Sequence, residues 1–116
     1  MPSDTHFSID RLDQPDGPVL LRLVGELDVH GAPALRARLL DLMPLRAPLV
    51  LELRSLVFMD SSGLAALLEL RSRARALGWE VQIRGARGRV RELLERTGTL
   101  ALVEEPPAAP SNGVTA

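Results

Sequence analysis

Two adjacent serines stand where an apolar segment gives way to a helical pattern. Asp60-Ser61-Ser62-Gly63 follows the apolar run Pro48–Leu53 and a short connector, and leucines at helical spacing begin directly after it. A hydroxyl at this position lies at a helix N-terminus, where backbone N–H groups and the helix dipole favour negative charge. A serine there can cap the helix, which contributes about 1 kcal/mol, or it can accept a phosphate. These four residues alone leave both interpretations open, and capping is the commoner role of such a motif.

Acidic and histidine side chains offer other chemistries, but each of these lacks an essential part. Glu26, Asp28 and His30 alternate in a loop-like segment, yet no fourth ligand is apparent and the spacing fits no zinc motif. A triad of Ser62, His30 and Asp28 lacks the Gly-x-Ser-x-Gly elbow. Asp60 after a strand is similar to the aspartyl-phosphate site of response regulators, but that site needs a later lysine, and the chain has none. We therefore expect no catalytic residue, no metal and no cofactor.

The composition argues against several classes of partner. The net charge is −1, all 14 cationic residues are arginine, and cysteine and tyrosine are absent. Without lysine the chain can form neither a Schiff base nor a P-loop contact, and without a basic stripe or stacking aromatics it is not expected to bind nucleic acid. The first residues are polar and acidic, and no apolar run approaches the roughly 20 residues that cross a bilayer. These features predict a cytoplasmic protein without membrane insertion.

The elements that must position the serines alternate between strand and helix. Short apolar or alternating runs predict strands, and apolar residues at intervals of three and four predict helices. Gly25 is expected to end the second strand, and Gly78 to end the helix that carries Ser62. In order, the predicted elements are strands at 7–12 and 19–24, a helix at 33–43, a strand at 48–53, a helix at 62–77, a strand at 79–83 and a helix at 90–97.

This β-β-α-β-α-β-α order predicts an α/β fold with a mixed, mainly parallel, four-stranded sheet. Functional loops gather at the carboxyl ends of strands in such sheets, so the predicted loop 25–31 and the segment 57–62 are expected to meet. The length suits one domain, which we place at residues 1–103. Residues 104–116 are rich in proline and alanine and have too little apolar content to pack, which predicts a disordered tail.

Together these motifs resemble the STAS domain, the family of sulfate transporters and anti-sigma factor antagonists, over residues 6–103. The resemblance is strongest to the anti-sigma factor antagonists, because the serine pair is retained. Glu52 is a departure, since the family strand often carries aspartate there. The motifs that carry the resemblance are Gly25-Glu26-Leu27-Asp28 before an Ala/Pro/Leu-rich helix, the strand and connector at 49–57, and Phe58-Met59-Asp60-Ser61-Ser62-Gly63-Leu64.

The resemblance implies a bacterial signalling protein that is not an enzyme. Unphosphorylated, it would bind an anti-sigma factor that is a serine kinase and so release a sigma factor. The kinase would phosphorylate Ser62 and dissociate, and a serine phosphatase would reset the switch. Ser61 would cap the helix, Asp60 would orient the loop, and Asp28 would either contact the kinase or anchor an Asx turn. The implied partner-binding residues are Asp28, Asp60, Ser61, Ser62, Gly63 and Leu64.

Other interpretations stay open at this point. The chain can be a STAS module that does not switch, either a scaffold or a soluble subunit associated with a transporter. A third, enzymatic possibility is weak nucleotide binding or hydrolysis, against which the lack of lysine and of a glycine-rich phosphate loop counts. For the oligomeric state we expect a monomer or a weak dimer.

Overall fold

A hairpin opens the fold, and its second strand becomes the centre of the sheet. The computed structural model of the chain describes residues 6–12 and 15–104. The order across the sheet is β1-β2-β3-β5, with β1 antiparallel to β2 and the other pairs parallel. The elements are β1 (Phe7–Arg11), β2 (Val19–Leu27), α1 (Ala32–Leu42), a 3₁₀ turn (Met43–Leu45), β3 (Leu49–Glu52), β4 (Leu56–Met59), α2 (Ser61–Leu77), β5 (Val81–Arg84), α3 (Gly88–Arg96) and α4 (Leu100–Val103).

The described residues form a sheet of five strands, because the connector before the serines is itself a strand. β4 pairs in parallel with the end of β2, from Gly25 to Leu27. The prediction that Gly25 ends the strand is therefore wrong. The ladder is irregular there, Gly25 takes a φ of +96°, and a side chain at this position would collide with the carbonyl of His6. The α/β class with a mainly parallel sheet is confirmed, whereas the predicted loop 25–31 shortens to 28–31.

One face of the sheet carries the core. Leu21, Leu51 and Ile83 are register partners on three neighbouring strands, and each is at most 3% exposed. Side chains alternate between the faces of a strand, so Arg22 lies on the other face and is exposed. All four helices contribute buried residues to the cluster that contains Leu21. The helices therefore cover one face of the sheet.

The helix that carries the serines ends as predicted. Gly78 follows α2 in the left-handed conformation, with a φ of +67°, and its N–H bonds back to carbonyls of the last turn. Trp79 is then buried, and its indole N–H donates to the carbonyl of Ala47 at 2.8 Å. β5 starts at Val81, two residues later than predicted.

The C-terminal part adds a short helix that the sequence pattern did not predict. α3 ends at Arg96, close to the predicted stop at Gly98, and α4 follows with Val103 in the core. The carboxylate of Glu104 accepts the N–H of Ala86 at 2.6 Å. The rest of the predicted tail, residues 105–116, lies outside the described residues. No helix in the described part of the chain is both long and apolar enough to cross a membrane.

Candidate functional site

Two parallel strands end side by side at the edge where the serines lie. Leu27 at the end of β2 is the register partner of Met59 at the end of β4. The N–H of Asp60 donates to the carbonyl of Leu27 at 3.2 Å. The segment after β2 and the N-terminus of α2 therefore meet, which confirms the expectation drawn from parallel strands.

Asp60 is the residue that caps α2. Its backbone is extended, and its carboxylate Oδ1 accepts the N–H of Gly63 at 3.0 Å. Its carbonyl accepts the N–H of Leu64, also at 3.0 Å. The predicted capping role of Ser61 is therefore wrong, because a cap lies outside the helix and bonds to an N–H two or three residues ahead. Ser61 is already the first helical residue, one position earlier than predicted.

Both serine hydroxyls lie in the first turn of α2. Ser61 is exposed and Ser62 is partly exposed. Within residues 6–12 and 15–104, neither hydroxyl makes a hydrogen bond to another protein group. N–H groups at a helix start have no acceptor within the helix. The carboxylate of Asp60 accepts the N–H of Gly63, which leaves the N–H groups of Ser61 and Ser62, and the first turn after Asp60 contains no acidic residue. A negative charge on either serine would therefore be stabilised by these groups and by the helix dipole.

Gly63 allows the start of α2 to approach β2 and β4 closely. A side chain on Gly63 would collide with the carbonyl of Leu27 and would lie 2.8 Å from Leu27 Cγ and 2.9 Å from Met59 Cγ. Leu64 is 8% exposed and belongs to the core. These two residues were predicted to contact a partner, but their burial leaves them little side-chain surface. In the structure they hold the serines against the sheet, and their contact with a partner stays a prediction.

Asp28 anchors the turn that follows β2. Its carboxylate accepts the N–H of His30 at 2.9 Å and that of Gly31 at 3.2 Å. The N–H of His30 lowers the pKa of Asp28 below its ordinary value of 3.8; burial opposes this, and the N–H of Gly31 and the histidines His30 and His6 add to it. The Asx-turn interpretation is thus confirmed. Asp28 is still partly exposed, so its contact with a partner stays a prediction.

Exposed apolar side chains flank these polar residues, and the sequence analysis did not single them out. Val29 is 58% exposed, Val57 is 63% exposed and Phe58 is 37% exposed. Phe58 is the register partner of Glu26, so it lies on the face of the sheet opposite Met59. We call these three residues the apolar rim. From Leu56 to Met59, β4 is buried, exposed, exposed and buried, and all four of its residues are apolar, so no alternation in the sequence marks the rim.

The structure does not assemble the other chemistries that the sequence suggested. Asp28 accepts the backbone N–H of His30 rather than a proton from its ring, and Glu26 lies 3.9 Å from His6 Nε2. In the part of the chain that the structure describes, no group of three or more His, Asp or Glu side chains is placed to hold a metal ion. The site therefore consists of a hydroxyl pair at a helix start, two aspartates and an apolar rim.

Comparison with known proteins identifies relatives of this chain. The family model described as the STAS domain matches residues 11–111. The anti-sigma-B factor antagonist of Bacillus subtilis (strain 168) is 26% identical over 91 residues, which cover 78% of this chain and 84% of the relative. A crystal structure of an anti-sigma factor antagonist from Mycobacterium paratuberculosis is 29% identical, with a TM-score of 0.65 and 84% of each chain covered.

More remote structures share the fold. The anti-sigma factor antagonist SpoIIAA in its unphosphorylated form is 23% identical, with a TM-score of 0.65, covering 79% of this chain and 82% of its own. A sulfate transporter family protein from Wolinella succinogenes is 22% identical, with a TM-score of 0.67, covering 81% and 77%. At such identities the likeness shows the fold alone, and that fold occurs in proteins with different roles.

Proposed function

Since this chain belongs to the STAS domain family, we propose that it is an anti-sigma factor antagonist whose binding is switched off by phosphorylation of Ser62. The unphosphorylated form binds an anti-sigma factor and so releases a sigma factor. The observation that carries this proposal is the position of Ser62, a partly exposed hydroxyl in the first turn of α2 beside Asp28 and the apolar rim. Similarity to anti-sigma factor antagonists at 26% and 29% identity supports it.

The apolar rim supports a protein as the partner. Exposed apolar side chains that lie together often mark protein interfaces, and aromatic residues are enriched there. Val57 and Phe58 adjoin Asp60 along the chain, and Val29 adjoins Asp28. We propose that the partner that covers the hydroxyl of Ser62 also reaches around the strand ends to contact the rim. Within the cytoplasm we propose a serine kinase as this partner and a serine phosphatase as the enzyme that reverses its action.

Phosphorylation would act through charge and bulk rather than through a change of fold. The kinase transfers the γ-phosphoryl group of ATP, so the Oγ–P bond on Ser62 forms as the β–γ bond breaks and the serine proton goes to a base of the kinase. The product carries about −1.5 to −2 charge where a neutral hydroxyl stood. The start of α2 stabilises this charge, so the domain itself need not rearrange.

The partner surface that fitted the hydroxyl then meets the added charge. A unit charge about 4 Å from a like charge costs about 4 kcal/mol at an effective dielectric near 20. That cost corresponds to about a thousandfold weaker binding. In this cycle the chain is a ligand and a substrate, and the catalytic groups belong to its partners.

Ser61 provides the matched control for the test. The purified chain is incubated with its cognate anti-sigma factor kinase and ATP, and the phosphate is located by mass spectrometry. We expect one phosphate on Ser62, none in Ser62→Ala, and normal modification of Ser61→Ala. A phosphate on Ser61 in the wild-type chain would show that the site assignment is wrong.

Binding tests the electrostatic part of the proposal. Ser62→Ala should bind the kinase like the wild type, because it keeps a small neutral side chain. Ser62→Asp should bind more weakly than the wild type. Phosphorylated Ser62 should show the larger loss, up to about a thousandfold, because it carries more negative charge than aspartate. If Ser62→Asp and the phosphorylated chain both bind as tightly as the wild type, the switch mechanism is wrong.

A STAS module without a switch is the second candidate. The observation that favours it is the shared fold of the sulfate transporter family protein, at a TM-score of 0.67. Such a module would bind its partner equally well with Ser62→Ala and Ser62→Asp. The affinities of Ser62→Ala and Ser62→Asp for the partner therefore distinguish the two functions.

A further inference from the structure

A groove of about 210 Å³ lies between α1 and α2. Its apolar lining includes Leu40, Met43 and Leu70, and charged side chains also line it. Leu40 is 55% exposed, so its side chain is available to a molecule that enters the groove. The groove is a separate surface from the apolar rim, since the two share no residue.

The groove begins one helical turn from the proposed phosphoacceptor. Ser62, Ala66, Glu69 and Arg73 follow one another at intervals of four, three and four, so they lie on one stripe of α2. The last three of these line the groove. Ala66 is about 6 Å along the helix axis from Ser62. A partner that covers Ser62 can therefore continue into the groove without leaving α2.

The charges at the groove indicate the chemistry of its occupant. Arg36 Nε lies 3.0 Å from Glu69 Oε1, and Arg73 lies 3.3 Å from Glu69 Oε2. The three side chains are between 41% and 55% exposed and carry a net charge of +1. If a second copy of the chain occupied the groove by the same surface, two groups of side chains with a net positive charge would face each other. A partner segment with a carboxylate beside its apolar residues would complement the positive charge.

We propose that this groove receives the apolar face of an amphipathic helix of the anti-sigma factor, with an acidic side chain of that helix near Arg36 and Arg73. A helix presents apolar residues at intervals of three and four, which suits a groove between two helices. This proposal rests on the proposed function for the identity of the partner. It adds a second contact area, which gives affinity that does not depend on the state of Ser62.

The experiment measures the affinity of the cognate anti-sigma factor for the unphosphorylated full chain by calorimetry. Leu40→Glu places a charge on the apolar wall, and we expect it to weaken binding about tenfold or more. Arg73→Glu should weaken binding and reduce its dependence on salt concentration. Leu102→Glu is the matched control, because Leu102 is a comparably exposed leucine, at 45%, that does not line the groove. Circular dichroism verifies that each variant is folded.

The outcomes separate this inference from the proposed function. If the wild type binds, Ser62→Asp weakens binding, and Leu40→Glu and Arg73→Glu bind like the control, the groove proposal is overturned and the proposed function stands. If the wild type does not bind the anti-sigma factor, both are overturned. Light scattering during size-exclusion chromatography tests whether a second copy of the chain occupies the groove instead. A wild-type dimer that Leu40→Glu converts to a monomer, with partner affinity unchanged, would assign the groove to a second copy and overturn the proposal.

Discussion

The segments that follow β2 and β4 begin with the same residue type and the same backbone pattern. Asp28 directly follows β2, and its carbonyl accepts the N–H of Ala32 at 2.8 Å. Asp60 directly follows β4, and its carbonyl accepts the N–H of Leu64 at 3.0 Å. In both segments the carboxylate also accepts a backbone N–H three residues ahead. An aspartate after a parallel strand is thus a local anchor, and its presence alone does not mark a functional site.

The two segments differ in the helix that each one starts. α1 begins without a side-chain cap and has Pro33 in its first turn, so one N–H is missing there. α2 is capped by Asp60 and begins with Ser61 and Ser62. Only α2 thus combines a hydroxyl with unpaired first-turn N–H groups. The comparison teaches that the first-turn residues, rather than the aspartates, distinguish an anchored turn from a place suited to a phosphate.

The largest expected difference between the two segments concerns their glycines. Gly63→Ala should lower the free energy of unfolding by about 3 kcal/mol, the upper end of the usual range for overpacking, because its methyl group would collide with the carbonyl of Leu27. Gly31→Ala should cost about 1 kcal/mol, because its methyl group would meet the ring of Phe7, which can shift. Urea unfolding measures both. Equal losses would contradict the close approach that we assign to α2 alone.

A smaller effect tests which residue caps α2. Asp60→Ala should lower the free energy of unfolding by about 1 kcal/mol, and Asp60→Asn should keep most of the stability, because its amide oxygen can still accept the N–H of Gly63. Ser61→Ala should change stability by less than about 0.5 kcal/mol. Thermal and urea unfolding of the three variants give the comparison. If Ser61→Ala cost as much as Asp60→Ala, the serine would be contributing to the cap after all.

The smallest expected effect is the contribution of Asp28, in the turn after β2, to the loss of stability at low pH. The pKa of Asp28 is lowered in the folded state, first by the N–H of His30. The unfolded chain therefore binds a proton more readily, so Asp28 contributes stability above its unfolded pKa and loses it as the pH falls through the folded pKa. Asp28→Asn keeps an acceptor for the turn and removes this titration. We expect its urea midpoint to fall less than that of the wild type between about pH 5 and pH 2, and carbon NMR of the Asp28 carboxyl gives the pKa directly. An identical acid response in both proteins would show that Asp28 does not titrate as inferred.

Much of the fold follows from local pattern. The helical spacing after Ser62 and the stop at Gly78 were both legible in the sequence, because amphipathic periodicity and a C-terminal glycine are local features. The continuation of β2 past Gly25 and the pairing of β4 were not, because a four-residue strand exists only where a neighbouring strand offers its backbone. α4 was missed for a similar reason, since a helix of one turn is not stable alone and depends on the packing of Val103.

Part of the candidate site could likewise be predicted from the sequence, and part could not. Asp60 and the serine pair were singled out from residue type and order, whereas Asp28 was implied as a partner contact by the resemblance to the STAS domain. The cap was assigned to Ser61 rather than Asp60, because the sequence does not show which residue has the extended backbone. The apolar rim and the groove were not anticipated, because each combines residues from segments far apart in the chain.

The amino-acid sequence by itself determined the α/β class, the single core, and the placement of a hydroxyl pair between a strand and a helix, because these depend on hydrophobic period and on the order of residue types. The tertiary structure decided that Asp60 holds the helix start, that Gly63 brings it against β2 and β4, and that Ser62 and the groove share one stripe of α2. Those features arise from backbone geometry and from packing between distant segments, which no local pattern encodes.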